Sequence, residues 1–292
     1  MSTVTLGVDV SDLIARIAIV RGSDVVGSGI VAPNRPAAVR DAAKKALASA
    51  GGTVSAIAIA QASATEDVAD DLRAALATIA PKCPQHRIAA GQAAAIAEQR
   101  RGAAVGASQL IAFSIAEHVT AGVLINGAPW LGAHGLASSI GWLALNPVER
   151  EDYRRYGSLE AEVAAAGIVR RFVWRIKSGD RSRVADQVSG DFTKITAADI
   201  LQGARSGDGV SISVVRDTAK YIGMAVANLA TLFDPEAIVL GGMIASSGDI
   251  MFDAIKTEAH RRLLPQQAEQ VRIVLSTLGD DAVAVGAALA HS

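Results

Sequence analysis

The sequence predicts an α/β protein made of two copies of one unit, in which a β-meander is followed by helices. Three bursts of β-branched and small residues between positions 4 and 31 are separated by short polar turns, as in an antiparallel meander. A second set of strands is predicted between positions 110 and 125. It ends at Asn126-Gly127, and Asn-Gly between apolar runs is the strongest short hairpin signal. This recurrence indicates an internal duplication.

Helices and buried strands alternate in the rest of the chain. The glycine pair Gly51-Gly52 and the residue Pro81 mark the ends of the first two helices. Helices are predicted at 37–50, 66–80, 92–101, 159–174, 197–205, 209–233 and 281–290. Strands are predicted at 54–60, 87–89, 237–240 and 271–275. The polar, glycine-containing segment 177–191 is expected to be an exposed loop.

Composition and charge exclude several classes of protein. Half of the 292 residues are apolar but only 4% are aromatic, so we expect an aliphatic core. The net charge of −1 supplies no field for nucleic acid or an anionic membrane. Cys83 is the single cysteine, so neither an intramolecular disulfide nor a thiolate metal cluster can form. With no basic flank before the first strand and no run of about 18 apolar residues, we expect an untargeted cytoplasmic protein.

Six segments carry a recognisable pattern through their order and spacing. They lie at 6–10, 93–98, 124–135, 157–161, 234–242 and 278–282, and the clearest is Asp-Pro-Glu-Ala-Ile-Val-Leu-Gly-Gly at 234–242. Over nearly its whole length the chain resembles the ROK family of bacterial sugar kinases and repressors. The resemblance implies two actin-like (ribonuclease H-like) lobes with a cleft between them. Residues 1–108 would form the N-terminal lobe and 109–279 the C-terminal lobe, with a last helix in 280–292 packing back on the first.

Both hairpins that would hold the nucleotide phosphates are altered. The family's first hairpin resembles D-I-G-G-T and here reads Asp-Val-Ser-Asp-Leu at 9–13, whereas the second resembles G-T-G and here reads Ala-Glu-His at 116–118. Glycine matters there because it lets backbone N–H groups approach phosphate oxygens closely. Asp12 and Glu117 also place carboxylates beside the phosphates, and such a like-charge contact at about 4 Å costs about 1 to 4 kcal/mol.

Part of a nucleotide site is retained. Asp9 keeps the family residue near the metal and phosphates, although an aspartate that ends a strand is also a common turn residue. Gly241 and Gly242 keep the pattern of the loop next to adenosine, although two glycines after a strand also form an ordinary tight turn. The resemblance therefore leaves residual nucleotide binding open, with ATP and Mg²⁺ as cofactors only if activity is retained.

The catalytic base of the family is missing. Phosphoryl transfer to a sugar hydroxyl needs a general base, which contributes about 10²- to 10⁴-fold. The family supplies it as an aspartate at the start of a helix, and Ala90 stands at that position. Ala89 replaces the neighbouring sugar-binding asparagine. Glu98, two turns along the helix, is expected on a solvated face. We therefore assign no catalytic residue.

The sugar contacts and the structural zinc site are also changed. The family's E-x-G-H becomes Ser139 to Trp142, and only Glu160 survives from its C-L-E motif. Glu160, Trp142 and Ser139 are the candidate substrate contacts; a glutamate in a first helical turn is also favourable by itself, and an indole is also a common core residue. The four zinc positions hold Glu151, Tyr153, Ser158 and Trp142, so we expect no zinc. Packing of Tyr153, Tyr156 and Trp142 is expected in its place.

Two functions remain open at this stage. The first is a degenerate sugar-kinase homologue, a pseudokinase that binds a small molecule or a protein partner. The alternative is an active ATP-dependent hexose or amino-sugar kinase with an altered site. A sugar-responsive repressor is disfavoured, because the repressors of the family carry a helix-turn-helix domain and only about three residues precede the first strand here. The resemblance also implies a homodimer.

Overall fold

The computed structural model describes residues 2–33, 35–62 and 69–292, and shows an α/β fold with two five-stranded sheets. The predicted fold class is confirmed. Contacts divide the chain into two compact units. Unit 1 comprises Met1–Phe113, Thr120–Ser138 and Ser276–Ser292, and unit 2 comprises Ser114–Val119 and Ser139–Leu275. Among the described residues, no helix combines the length and apolar character needed to cross a membrane.

The first sheet has the strand order β3-β2-β1-β4-β5. Its elements are β1 (Thr3–Asp9), β2 (Ala15–Arg21), β3 (Asp24–Val31), α1 (Pro36–Ala50), β4 (Thr53–Gln61), α2 (Asp70–Ala77), β5 (Gln85–Ala89) and α3 (Ala90–Arg101). The three meander strands pair antiparallel, whereas β4 and β5 add in parallel. Strands β1 and β2 and the second half of β4 are aliphatic and buried, as their apolar runs predict, whereas the outer strands β3 and β5 are mostly part-buried or exposed. The expected start of α2 at Glu66 lies outside the described residues.

The second sheet has the order β10-β9-β6-β7-β8. The elements from β6 to β10 are β6 (Leu110–Ile115), β7 (Val119–Ile125), β8 (Ala128–Pro129), α4 (Glu151–Tyr156), α5 (Ser158–Val163), α6 (Ala165–Lys177), α7 (Arg183–Gln187), α8 (Ala197–Arg205), α9 (Gly209–Phe233), β9 (Ala237–Gly242), α10 (Met243–Ser246), α11 (Gly248–His260), α12 (Pro265–Gln270) and β10 (Arg272–Leu275). The last helix, α13 (Ala282–Leu289), belongs to unit 1. Asn126 and Gly127, with φ of 53° and 74°, form the expected hairpin turn between β7 and β8.

Glycines allow helix α13 to pack closely within unit 1. A Cβ on Gly7 of β1 would lie 2.0 Å from the carbonyl oxygen of Ala284, and one on Gly286 would lie 1.7 Å from that of Ala93. Both distances are far below van der Waals contact, so no larger residue fits at either position. The small-residue composition of α13 thus follows from its direct contact with β1 and α3.

Two sequence expectations in unit 2 are wrong. The helix expected at 159–174 is two helices, because Ala164 is extended (ψ 161°) and Ala165 N–H donates to the Ala116 carbonyl at 3.1 Å. The loop expected at 177–191 contains the short helix α7, whose residues Val184 and Ala185 are buried. In both cases a contact with a distant part of the chain overrides the local pattern.

Candidate functional site

In the turn after β1, backbone N–H groups donate hydrogen bonds to carboxylates of the same turn. Asp9 is 4% exposed, and its Oδ1 accepts bonds from the N–H (2.9 Å) and hydroxyl (2.6 Å) of Ser11. The carboxylate of Asp12 accepts the N–H of Leu13 at 2.6 Å. Burial raises the pKa of Asp9, against the lowering effect of the two Ser11 bonds. The N–H groups that a glycine-rich hairpin would offer to phosphate are therefore bonded to aspartates at two positions of this turn.

The second turn is tied to helix α5. Ala116 N–H donates to the carbonyl oxygen of His118 at 3.0 Å, which closes the turn. His118 Nδ1 lies 3.0 Å from Glu160 Oε1, and Val119 N–H donates to Glu160 Oε2 at 3.3 Å. Glu160, the retained family glutamate, therefore has both carboxylate oxygens engaged by the hairpin. A Cβ on Gly141 would lie 2.8 Å from the same Oε2, so the backbone also crowds this carboxylate.

Ala90, which the resemblance aligns with the family's catalytic base, presents a buried methyl group. Ala90 is the first residue of α3 and is 1% exposed. The next residue, Gly91, lies directly on the backbone of β7, since its Cβ would be 2.0 Å from the carbonyl oxygen of Ala121. Gly122 meets Gly91 in the same way, at 2.1 Å. The start of α3 is thus packed without a side chain that can accept a proton.

Glu98 does not lie on a solvated face, and that expectation is wrong. The residue is 1% exposed, and its carboxylate accepts bonds from the Ser276 hydroxyl and, at 2.8 Å, from the N–H of Ala103. It thereby closes the end of α3 and holds the segment that leads to α13. At a rise of about 1.5 Å per residue, it lies about 12 Å along the helix from Ala90 and cannot serve as a base there.

The zinc-binding segment of the family is held differently here. Tyr153 is buried, and its hydroxyl donates to the Glu162 carboxylate; burial and this bond raise the tyrosine pKa. Trp142 is 59% exposed and Tyr156 is 44% exposed, so the expectation of a three-membered aromatic packing is wrong for both. The buried residues of these two segments are Ile140 and Gly141 in the short 3-10 helix at Ile140–Trp142, and Tyr153 in α4.

The residues at the four zinc positions do not fit a zinc ion. An indole cannot ligate through its N–H, and Tyr153 is committed to Glu162. Among the described residues, no three His, Cys, Asp or Glu side chains group as a metal site would require. Ser139, the remaining candidate sugar contact, is exposed at the start of the 3-10 helix.

The two glycines at the end of β9 have a packing role. Gly242 has a φ of 60°, and a Cβ there would lie 2.3 Å from the carbonyl oxygen of Ile115. Only glycine satisfies both requirements. Gly241 precedes it as a partly buried strand residue. The family pattern at this position is therefore explained by the contact between β9 and the end of β6, with or without a nucleotide.

One cluster of charged residues in unit 2 escaped the sequence reasoning. Glu162 accepts a hydrogen bond from Arg150 at 3.3 Å, and its Oε2 lies 3.5 Å from Nε of Arg171. A signal was available, because Glu160 and Glu162 are two residues apart on one helix and must face in nearly opposite directions. Only one of them could therefore belong to the hairpin.

A model of the ROK family matches residues 41–292. The chain is a member of the ROK family. A glucokinase from Halalkalibacterium halodurans is 32% identical over 66% of this chain and 59% of its own length. The N-acetylglucosamine repressor of Shigella flexneri is 28% identical over 66% of this chain and 46% of its own length. The chain therefore matches less than two thirds of the length of these curated relatives.

Solved ROK structures share the fold over almost the whole chain. A ROK family glucokinase from Streptomyces griseus, in complex with glucose and AMPPNP, has a TM-score of 0.78 and 25% identity over 98% of both chains. The chain is thus a homologue of ROK sugar kinases and repressors. Because the family contains both kinases and repressors, membership alone does not decide the function. The function has to be argued from the residues of the site.

Proposed function

We propose that this ROK-family chain is a pseudokinase that binds a small molecule or a partner without transferring a phosphoryl group. The observation that carries the proposal is the start of α3, where Ala90 is buried at the position of the family's base. A methyl group cannot accept the proton of a sugar hydroxyl. Glu98 cannot replace it, because its carboxylate is buried at the other end of the helix and bonded to Ser276.

The two altered hairpins support the same conclusion. Phosphate needs unpaired N–H donors and positive potential, whereas the first turn bonds its Ser11 and Leu13 N–H groups to Asp9 and Asp12. In the second turn, Glu117 adds another carboxylate. Since each acid repels phosphate by about 1 to 4 kcal/mol at contact, MgATP would bind weakly at these turns.

The alternative is an active hexose or amino-sugar kinase. The 32% identity to a glucokinase favours it, as does the retention of Asp9, Gly241 and Gly242. Glu160 is a weaker argument, since its carboxylate is engaged by His118 and Val119.

A thermal-shift panel tests the proposal. The purified chain is heated with hexoses, with amino sugars and with MgATP, and the Halalkalibacterium halodurans glucokinase serves as the positive control. A ligand that binds the folded state raises Tm by mass action. We expect no shift with MgATP at concentrations that shift the control. A shift with a sugar alone would support a ligand sensor, whereas a MgATP shift equal to that of the control would contradict the proposal.

A further inference from the structure

Unit 2 contains a cavity of about 630 Å³ with a cationic and apolar wall. The cavity lies beside α5, α6 and α9 and the segment that leads into α4. Its cationic side chains are Arg150, Arg170, Arg171, Arg175 and Lys220. Its apolar wall includes Leu145, Trp174, Val214 and Met224. A volume of this size admits a small organic molecule.

The cavity is separate from the hairpin that holds Glu160. Helix α5 turns about 100° per residue, so Glu160 and Glu162 point about 160° apart. Glu160 contacts His118 and Val119, whereas Glu162 lines the cavity. The two glutamates therefore serve two different sites in unit 2.

Three of the cations have acidic partners of their own. Arg170 pairs with Asp152 at 2.8 Å, Arg175 pairs with Asp180, and Lys220 Nζ lies 3.5 Å from Asp217 Oδ1. These pairs balance their charges locally. The charge that remains to be balanced in the wall is therefore that of the other two arginines.

Arg150 and Arg171 share one carboxylate. Glu162 is 2% exposed at its side chain and lies within 3.3 Å of Arg150 and 3.5 Å of Arg171. The buried Tyr153 hydroxyl also donates to Glu162 but carries no charge. The single negative charge of Glu162 therefore faces two guanidinium groups. A single positive charge is left over at the wall of the cavity.

Arg171 is the buried member of this pair. Its side chain is 16% exposed, and one terminal nitrogen of its guanidinium donates to the Thr218 hydroxyl, whereas its buried Nε lies 3.5 Å from Glu162 and makes no hydrogen bond. Burial lowers the pKa of Arg171 in spite of that carboxylate. Arg171 and Arg150 both line the cavity, and oxyanions suit guanidinium groups because an oxyanion can accept two N–H bonds at once. Trp174, 66% exposed, adds a flat apolar face at the same cavity.

We propose that this cavity binds a small organic oxyanion, a carboxylate or a phosphate ester attached to a ring. Arg150 and Arg171 bind the oxyanion, and Trp174 packs against the ring. The proposal goes beyond the proposed function and does not depend on whether the chain transfers phosphoryl groups, because none of these residues occupies a family catalytic position.

Isothermal titration calorimetry of the full chain tests the site with three probes: phenyl phosphate, benzoate and the neutral benzamide. We expect saturable binding of at least one anion, weakened by added NaCl, and none of benzamide.

Three variants test the residues of the site. Arg150→Gln removes an exposed guanidinium, while the ion pair between Glu162 and Arg171 stays in place, and should weaken binding about tenfold. Trp174→Ala should also weaken it. Arg154→Gln, which changes an exposed arginine of α4 outside the cavity, is the matched control and should leave affinity within about twofold.

The probes also separate the two sources of an oxyanion. Binding of phenyl phosphate alone assigns the site to phosphate esters, binding of benzoate alone assigns it to carboxylates, and either result supports the proposal. Absence of saturable binding by both anions at millimolar concentration would overturn it. So would equal binding of benzamide, or an affinity that Arg150→Gln and Trp174→Ala leave unchanged. A homodimer that Trp174→Ala separates, with no probe bound, would instead give this face to a second copy of the chain.

Discussion

The two turns that follow β1 and β6 begin from similar strands and end in different contacts. In the first, Asp9 folds back on Ser11, two residues away, and the turn is closed by its own side chains. In the second, His118 and Val119 bond to Glu160, which is more than forty residues away. The first turn is therefore a local structure, whereas the second is part of the packing of unit 2.

The contrast separates what the family fold requires from what its chemistry requires. The strands β1 and β6 are buried and carry the core, so their apolar pattern persists. The turn residues Ser11, Asp12, Glu117 and His118 are only partly buried or exposed, so the packing of the core does not fix their identity. In each turn, carboxylates of the protein accept hydrogen bonds from backbone N–H groups. The predictions below test this separation, first at the scaffold and then at each turn.

The largest effect is expected where β7 and α3 pack together in unit 1. Gly122 of β7 lies against Gly91, and a Cβ there would be 2.1 Å from a backbone oxygen that cannot move aside without shifting α3. Gly122→Ala should therefore lower the free energy of unfolding by about 3 kcal/mol. Chemical denaturation measures the change. Gly209→Ala is the matched control, since a Cβ at Gly209 meets nothing within 4 Å. Equal stability of both variants would contradict the close approach of α3 and β7.

An intermediate effect is expected for the long-range contact of the second turn. Glu160→Ala removes the carboxylate that accepts the Val119 N–H and that lies 3.0 Å from His118 Nδ1. A hydrogen bond to a charged group contributes about 2 kcal/mol, which is the expected loss of stability. His118→Ala should cost less than about 1 kcal/mol, because the histidine side chain is 56% exposed. If His118→Ala cost as much as Glu160→Ala, the backbone bond would not be the main contact.

The smallest effect is expected at the first turn, and it depends on pH. Burial raises the pKa of Asp9 above its ordinary value of 3.8. A raised pKa favours the protonated form in the folded state, so its stabilising contribution is present below pH 3.8 and is lost as the pH rises through the folded-state pKa. Asp9→Asn carries no such group and should gain stability relative to the parent as pH rises towards neutrality.

Thermal unfolding of the parent and of Asp9→Asn, measured from pH 3.8 towards neutrality, checks the sign of this stability difference. Asp12→Asn, in the same turn, controls for the loss of one negative charge. A parent protein that gains stability over Asp9→Asn with rising pH would show that Ser11 outweighs burial, and would contradict the assigned cause.

Local signals predicted the elements well where the chain caps its own helices. The bounds of α8 agree with the sequence, because Thr196 and Asp199 form a reciprocal capping box. The start of α9 agrees as well, because the Asp208 side chain accepts the Ser211 N–H. The strands followed from their apolar runs for the same reason, since each pattern is contained within a few residues.

The failures share a physical cause, which is contact between residues distant in sequence. The break at Ala164 depends on a bond to Ala116, and the burial of Glu98 depends on Ser276. Next to the exposed Trp142, it is Gly141 that packs against Glu160, on a different helix. Each altered family position can be read from the sequence alone. The partners that now hold them, such as His118 for Glu160, come only from the tertiary structure.

The central claim is that the chain does not transfer phosphoryl groups, and an ADP-release assay tests it most directly. The purified chain is incubated with MgATP and a panel of hexoses and amino sugars, with the Halalkalibacterium halodurans glucokinase measured in parallel. The account predicts ADP release no faster with any sugar than without enzyme. Sugar-dependent ADP release at rates comparable to the control would contradict it, and would show that the chain transfers phosphoryl groups although Ala90 stands at the position of the base.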